Sequence, residues 1–139
     1  MREAKHRRSV SRLGRLADLS EANPHSYIDR CELLEQCAFE AVRLSFNHLS
    51  VERIRQPPRQ WLDAKLARQI AIRIMVVDMD IEQRQVARMQ KRQRTSIHFA
   101  IRAVDDRLDE PVFARAYERM VGRALTLYED RFMRLQEAA

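Results

Sequence analysis

The segment from Arg84 to Val104, RQVARMQKRQRTSIHFAIRAV, mixes cationic and polar side chains with apolar residues at helical spacing. Arginine can donate two hydrogen bonds to guanine, glutamine can do the same for adenine, and threonine offers a methyl group to thymine. The N-terminus of a helix also favours a phosphate, because its unbonded amides point at the anion. The segment therefore has the chemistry of a DNA-binding surface. A basic helix face that only meets solvent is the alternative interpretation.

Composition limits the class of protein that can carry this segment. The chain has 139 residues, a formal net charge of +6 and a pI near 10.0. That length suits one compact domain, and that charge attracts polyanions, of which nucleic acid is the commonest. We expect a flexible basic arm over residues 1–24, for which a transit peptide or an amphipathic membrane segment is the alternative, and a single helical DNA-binding domain over residues 25–139. No apolar run is long enough to cross a bilayer, so we expect a cytoplasmic protein associated with the nucleoid.

The elements that position the segment are expected to be helices. The chain holds only two glycines and no alternating strand pattern, which predicts an all-α fold. Ser26 is the expected N-cap of a first helix, whose apolar stripe continues to Leu44 or Ser45. Pro57 and Pro58 predict a joint. The expected stripe of the central helix, which follows the joint, consists of Leu62, Leu66, Ala67, Ile70, Ala71, Ile74, Met75 and Val77.

Two shorter helices follow the central one. Asp80 with Gln83 predicts a capped start for a helix of about residues 81 to 89. The polar stretch QKRQR is a turn, and Arg94 or Thr95 is the expected N-cap of the next helix. Its expected buried side consists of Ile97, Ala100, Ile101, Val104 and Leu108. A short helix, a polar turn and a second helix on a long apolar helix predict a helix-turn-helix.

In that motif the second helix enters the major groove by its N-terminal end. Phe99 lies off the apolar stripe, so we expect it on the same exposed surface. The residues placed to meet DNA are Lys91, Arg92, Gln93, Arg94, Thr95, Ser96 and Phe99. The acids Asp105, Asp106, Asp109 and Glu110 gather at the opposite end, and this is the reverse of the charge order that the helix dipole favours.

From about Ala67 to Leu108 the chain resembles the C-terminal DNA-binding domain of the bacterial replication initiator DnaA, a Trp-repressor-like helix-turn-helix. The core helix of that family begins Arg-Gln-Ile-Ala, and RQIAIRI stands here at 68–74. The family's recognition helix opens with Gly-Gly-Arg-Asp-His-Thr-Thr-Val, against QKRQRTSI at 90–97. Matching or conservative positions are Thr95, Ser96, Ile97, Ala100 and Arg102. The resemblance covers less than a third of the chain and places a DnaA-like core at about 62–108.

The resemblance implies binding to double-stranded DNA, at sites like the initiator's boxes, and no ATPase activity. It adds Arg68 and Arg102 to the expected DNA-binding residues. Gln93 and Arg94 replace the family's Asp-His pair, and the turn is one residue shorter and has no glycine, so base preference is expected to differ. The family's basic-loop arginine falls on Leu66, and Lys65 and Arg59 are close enough to take its place.

Candidate catalytic and metal-binding residues are absent from the pattern. The four histidines are scattered, and two isolated glycines cannot build a phosphate loop. Cys31 and Cys37 are six positions apart within an apolar stripe, which predicts core residues and not a redox or zinc pair. We expect a protein that is not an enzyme, needs no cofactor and holds no metal.

The last expected helix runs over about 111–136. Pro111 suits a first helical position, after Asp109 or Glu110. Its expected stripe consists of Phe113, Tyr117, Met120, Val121, Ala124, Leu127 or Tyr128, and Met133 or Leu135. This helix is expected to pack on the first one, either within one chain or across a homodimer. The functional alternative to DNA binding is an adaptor that binds a protein through Phe99 and these outer helices.

Overall fold

The computed structural model describes residue 23 and residues 25–138, and over that range the chain is all-α, as predicted. The helices are α1 (Tyr27–Arg43), α2 (Val51–Arg55), α3 (Leu62–Arg73), α4 (Gln83–Gln90), α5 (Arg94–Arg107) and α6 (Pro111–Ala138), with a π-helical turn Ile74–Asp78 that continues α3. The expected basic arm over 1–24 lies outside the described residues, except for Asn23. None of the described helices is long and apolar enough to cross a membrane.

Helix α1 begins where the sequence predicted. The Ser26 hydroxyl accepts a hydrogen bond from the Asp29 amide at 3.3 Å, and this confirms Ser26 as the N-cap. Cys31 and Cys37 are free thiols in the core, as expected. The predicted end of the stripe is wrong, because the helix stops at Arg43 and Leu44 is 52% exposed.

Pro57 and Pro58 form the predicted joint, since residues 56–61 are not helical. The sequence did not predict the short helix α2 that precedes it. Ser50 caps this helix by accepting from the Arg53 amide at 3.2 Å. The fully buried Ile54 attaches α2 to the core.

Helix α3 forms the centre of the core, where it packs against α1 on one side and α5 on the other. The predicted apolar stripe is wrong at both ends, because Leu62 is 75% exposed and Val77 is 48% exposed. Leu62 is the first residue of α3 and remains largely exposed there. Val77 follows the change to π-helical geometry, which alters the angle at which side chains leave the axis. Ile72, outside the predicted stripe, is fully buried because the helix has neighbours on more than one side.

The predicted caps of α4 and α5 are also wrong. Asp80 has a φ of 58°, and α4 begins two residues later than expected, after Glu82. Gln93, not Arg94 or Thr95, is the N-cap of α5, and its side chain makes no capping hydrogen bond. The buried side of α5 is confirmed at Ile97, Ala100, Ile101 and Val104, whereas Leu108 is only partly buried.

Helix α6 lies along α1 in the most extensive helix pair of the described chain. Glu110 caps its start, with carboxylate oxygens 3.1 Å from the Val112 amide and 2.7 Å from the Phe113 amide. Of the two choices at the end of its predicted stripe, Leu135 is buried and Met133 is exposed. Arg131 donates to Glu40 across the pair, so the two outer helices cover each other within one chain.

Candidate nucleic-acid interface

The turn between α4 and α5 carries a continuous polar surface. Lys91, Arg92, Gln93, Arg94 and Thr95 are all exposed, and Ser96 is partly buried beside them. None of the three cations in this run has an ion-pair partner in the part of the chain described here. Three positive charges therefore stand at the positive end of the α5 dipole without compensation.

The geometry of the turn follows from how α4 ends. The Lys91 amide donates to the Arg88 carbonyl at 3.2 Å, and the Arg92 amide donates to the Ala87 carbonyl at 2.9 Å. These two bonds form a Schellman motif, in which the residue after the helix adopts left-handed geometry. Lys91 holds that position with φ 54° and ψ 46°, although glycine is the usual choice there. The chain reverses within three residues and starts α5 at Arg94.

An open cleft of about 470 Å³ lies between the middle of α3 and the start of α5. Its lining residues are Arg68, Gln69, Arg92, Gln93, Thr95, Ser96, Phe99 and Ala100. The cleft brings together six of the predicted site residues, from segments more than twenty positions apart in the sequence. No acidic side chain is among them.

Arg68 is the most unusual of these residues. It is only 7% exposed, and its Nε and Nη2 atoms are buried without a hydrogen-bond partner. Burial, with a smaller contribution from the nearby charge of Arg92, lowers the pKa of Arg68 to about 10. The site therefore contains a guanidinium that is only partly solvated and is repelled by a second one.

Phe99 is 66% exposed at the edge of this cleft, so its predicted position off the apolar stripe is correct. The adjacent His98 ring lies 6.2 Å from it, centroid to centroid. An exposed phenyl ring next to cations can stack on a base or enter an apolar pocket of a protein partner.

The remaining predicted residues lie outside the cleft. Lys91 and Arg94 are exposed in the same turn, and Arg102 is exposed about two helical turns further along α5. Arg59 is exposed in the joint, and Lys65 is exposed in the first half of α3. These cations are exposed, and none of them lines the cleft.

A buried network that the sequence analysis missed supports the turn. Glu35 of α1 accepts hydrogen bonds from Gln90, the last residue of α4, and from Arg55 Nη1 at 3.3 Å. Glu35 is 3% exposed, and its burial raises its pKa against the opposing effects of Arg55 and Gln90. The only signal in the sequence is an acid within an apolar helix pattern, which does not reveal its partners.

Asp105, one of the acids expected at the far end of α5, has a structural partner. Asp105 accepts a hydrogen bond from Arg73 Nε at 2.7 Å, and this ion pair holds the end of α5 to α3. The Arg73 guanidinium also lies 5.0 Å from the Tyr117 ring centroid. In the described range, no group of His, Cys, Asp or Glu side chains is arranged to hold a metal ion.

No family model, curated protein or solved structure matches the chain.

Proposed function

We propose that this chain is a helix-turn-helix protein that binds double-stranded DNA sequence-specifically, with α4 as the first helix and α5 as the recognition helix. It regulates replication initiation or transcription by occupying its sites, in the cytoplasm at the nucleoid, and has no ATPase or other catalytic activity. The observation that carries the proposal is the run of unpaired, exposed cations at the start of α5. Cations at that end of a helix are unfavourable unless an anion is bound nearby.

The distribution of polar groups around the turn supports base recognition as well as phosphate binding. Arg92, Gln93 and Arg94 combine the donors and acceptors that distinguish base pairs in the major groove. Lys65 and Arg59 would contact the backbone beside the recognition helix. The resemblance to the DNA-binding domain of DnaA supports the same assignment and suggests sites like that initiator's boxes.

The test compares duplex binding by Arg92→Ala, Arg94→Ala and Arg119→Ala at one fixed salt concentration. Arg119 is an exposed arginine of α6, so its replacement controls for the loss of one positive charge. A preferred duplex is first selected from random sequences. We expect the Arg92 and Arg94 variants to lose about 1 to 3 kcal/mol of binding free energy at the preferred site and much less on random DNA.

Full affinity and full discrimination in both variants would show that the turn is a solvated surface. The second candidate function, an adaptor for a protein partner, would then be favoured. The exposed phenyl ring of Phe99 supports this candidate, whereas α1 and α6 bury much of their apolar surface against each other. Salt separates the two functions, since DNA binding through several phosphates weakens steeply as salt rises and an apolar interface does not.

A further inference from the structure

The guanidinium of Arg68 has no partner within the described chain that explains its burial. It is 7% exposed, and two of its three nitrogen atoms are buried and make no hydrogen bond. A buried charge is unfavourable unless it is paired and hydrogen-bonded. The nearest charge of consequence is another cation, Arg92, which makes the position less favourable still.

The other polar side chains around this guanidinium all carry hydrogen-bond donors, and none of them is acidic. Arg92 lines the same cleft, and Thr95 and Ser96 contribute hydroxyl groups. Gln93 leaves the start of α5 without a side-chain cap, so the amides of Arg94 and Thr95 are available to a ligand, whereas those of Ser96 and Ile97 donate to the Gln93 carbonyl. No carboxylate lines the cleft. Such a set of donors is complementary to a group with several acceptor oxygens and a negative charge.

Phosphate is the oxyanion that suits these donors best. A guanidinium is planar and can donate two parallel hydrogen bonds to two phosphate oxygens. A helix N-terminus donates amide hydrogens to a third oxygen and adds the favourable end of its dipole. The cleft, at about 470 Å³, has room for a phosphate group together with its ester substituent.

We propose that the cleft between α3 and the start of α5 is a phosphate-binding site, with Arg68 as its buried anchor and Arg92 as its second cation. The phosphate can belong to a nucleic-acid strand or to a small phosphorylated molecule, because both present the same oxygens. The site does not require duplex recognition. A phosphate bound there would supply the anion that the Arg68 charge lacks, so phosphate should stabilise the folded chain by mass action.

The test is a set of thermal melts of the full chain without DNA, in which inorganic phosphate replaces chloride at constant ionic strength. We expect the wild-type melting temperature to rise with phosphate and to saturate. Arg68→Met should lose the saturable rise, since methionine fills an irregular space but offers no donor. Arg119→Ala, the surface control, should respond like the wild type. In chloride alone, Arg68→Met should melt at or above the wild type, because the lone buried charge is gone.

A second variant keeps the test decisive if Arg68→Met does not fold. Arg92 is exposed, so Arg92→Ala should fold, and we expect its half-saturating phosphate concentration to rise several-fold. An equal rise in melting temperature for the wild type, Arg68→Met and Arg92→Ala would overturn the proposal, because phosphate also stabilises proteins through general exclusion from their surface.

Two further arms distinguish the source of the phosphate and separate this site from the proposed DNA binding. Protection by dimethyl phosphate equal to that by inorganic phosphate supports a strand phosphodiester, and protection by inorganic phosphate alone supports a free phosphate or a monoester. Phosphate protection in a protein that binds no duplex supports the site and counts against DNA binding. If phosphate does not protect the wild type, and Arg68→Met binds duplex DNA with unchanged affinity, the site is overturned and the DNA function stands.

Discussion

Lys91 combines backbone strain with an exposed charge at the centre of the candidate interface. Its φ of 54° and ψ of 46° place it in the left-handed region. That conformation costs a residue with a Cβ atom roughly 1–2 kcal/mol, and glycine adopts it freely. A strained position that persists at a functional site suggests a role for the side chain that it carries. The lysine amine is the group that glycine would not supply.

Replacement of Lys91 should therefore separate strain from charge. We expect Lys91→Gly to increase the free energy of unfolding by about 1 kcal/mol, through relief of the left-handed strain. Lys91→Ala removes the same charge and keeps the strain, so its stability should stay near that of the wild type. Urea denaturation of the three proteins measures the difference. Equal stability of the two variants would contradict the assignment of left-handed geometry to this residue.

The same two variants report on binding. Both lack the amine, so both should bind duplex DNA more weakly than the wild type and with a smaller salt dependence, as expected for the loss of one phosphate contact. A stability gain together with a binding loss in Lys91→Gly would indicate that the lysine is retained for its charge and not for folding.

At the scale of elements, α5 separates its two tasks onto two faces. Ile97 and Val104 are fully buried against α3, and Ile101 is 9% exposed. Phe99 and Arg102 lie on the exposed face. The buried face holds the helix in place, so that the exposed face can contact a ligand without altering the core.

Truncation should cost much more stability on the buried face of α5 than on its exposed face. Ile97→Ala should lower the free energy of unfolding by about 2 to 5 kcal/mol, because it leaves a cavity in a closed core. Ile101→Ala should cost less, since part of its side chain already meets solvent. Phe99→Ala should change stability by only about 0.5 kcal/mol, as surface substitutions usually do. Thermal melts and duplex titrations on the same samples would test this. A large stability loss in Phe99→Ala would show that the ring is part of the core.

Helical periodicity predicted the elements that bury one continuous stripe. It located α1, α3, α5 and α6, because apolar residues three or four positions apart must share a face. It failed where a neighbour, not the spacing, decides burial. Leu62 fits the stripe but is 75% exposed, and Ile72 departs from the stripe but is fully buried. Helix α2 has only five residues, too few for a periodic signal.

The residues of the candidate site also include some that a local sequence pattern predicts and some that it does not. The cations of the turn are consecutive in the sequence, so a local pattern predicts that they share one surface. The resemblance to DnaA gave Arg68 a place in the site, but no local pattern indicates its burial, which arises from the approach of α5 to α3. Glu35 gave no usable signal, because its partners Arg55 and Gln90 lie twenty and 55 positions away.

At the scale of the whole molecule, the outer helices α1 and α6 form a frame that holds the turn between α4 and α5 in position. Helix α6 is held to α1 by the Arg131–Glu40 ion pair and by Arg123, whose Nη1 donates to the Ala41 carbonyl at 3.1 Å. On its other side α1 holds the end of α4 through Glu35 and Gln90. The position of Lys91, one residue further on, therefore depends on a helix that does not contribute to the interface itself.

The buried carboxyl of Glu35 makes this frame sensitive to pH. Burial is the largest influence on it and raises its pKa, so the folded chain holds the Glu35 proton more tightly than the unfolded chain. As pH rises above the ordinary pKa of glutamate, the unfolded chain releases this proton first. The folded chain then loses stability until pH passes the raised pKa of Glu35. As pH falls through the same interval, that stability returns.

Glu35→Gln removes the titrating proton and keeps an oxygen that can accept from Gln90 and Arg55. We therefore expect the wild type to gain stability relative to Glu35→Gln as pH is lowered through the raised pKa of Glu35 towards the ordinary glutamate pKa, measured by urea denaturation at each pH. Glu52→Gln, an exposed acid of α2, controls for the loss of one carboxylate. A relative stability that falls with decreasing pH would mean that attraction to Arg55 outweighs burial, and that Glu35 holds the end of α4 as a charged partner.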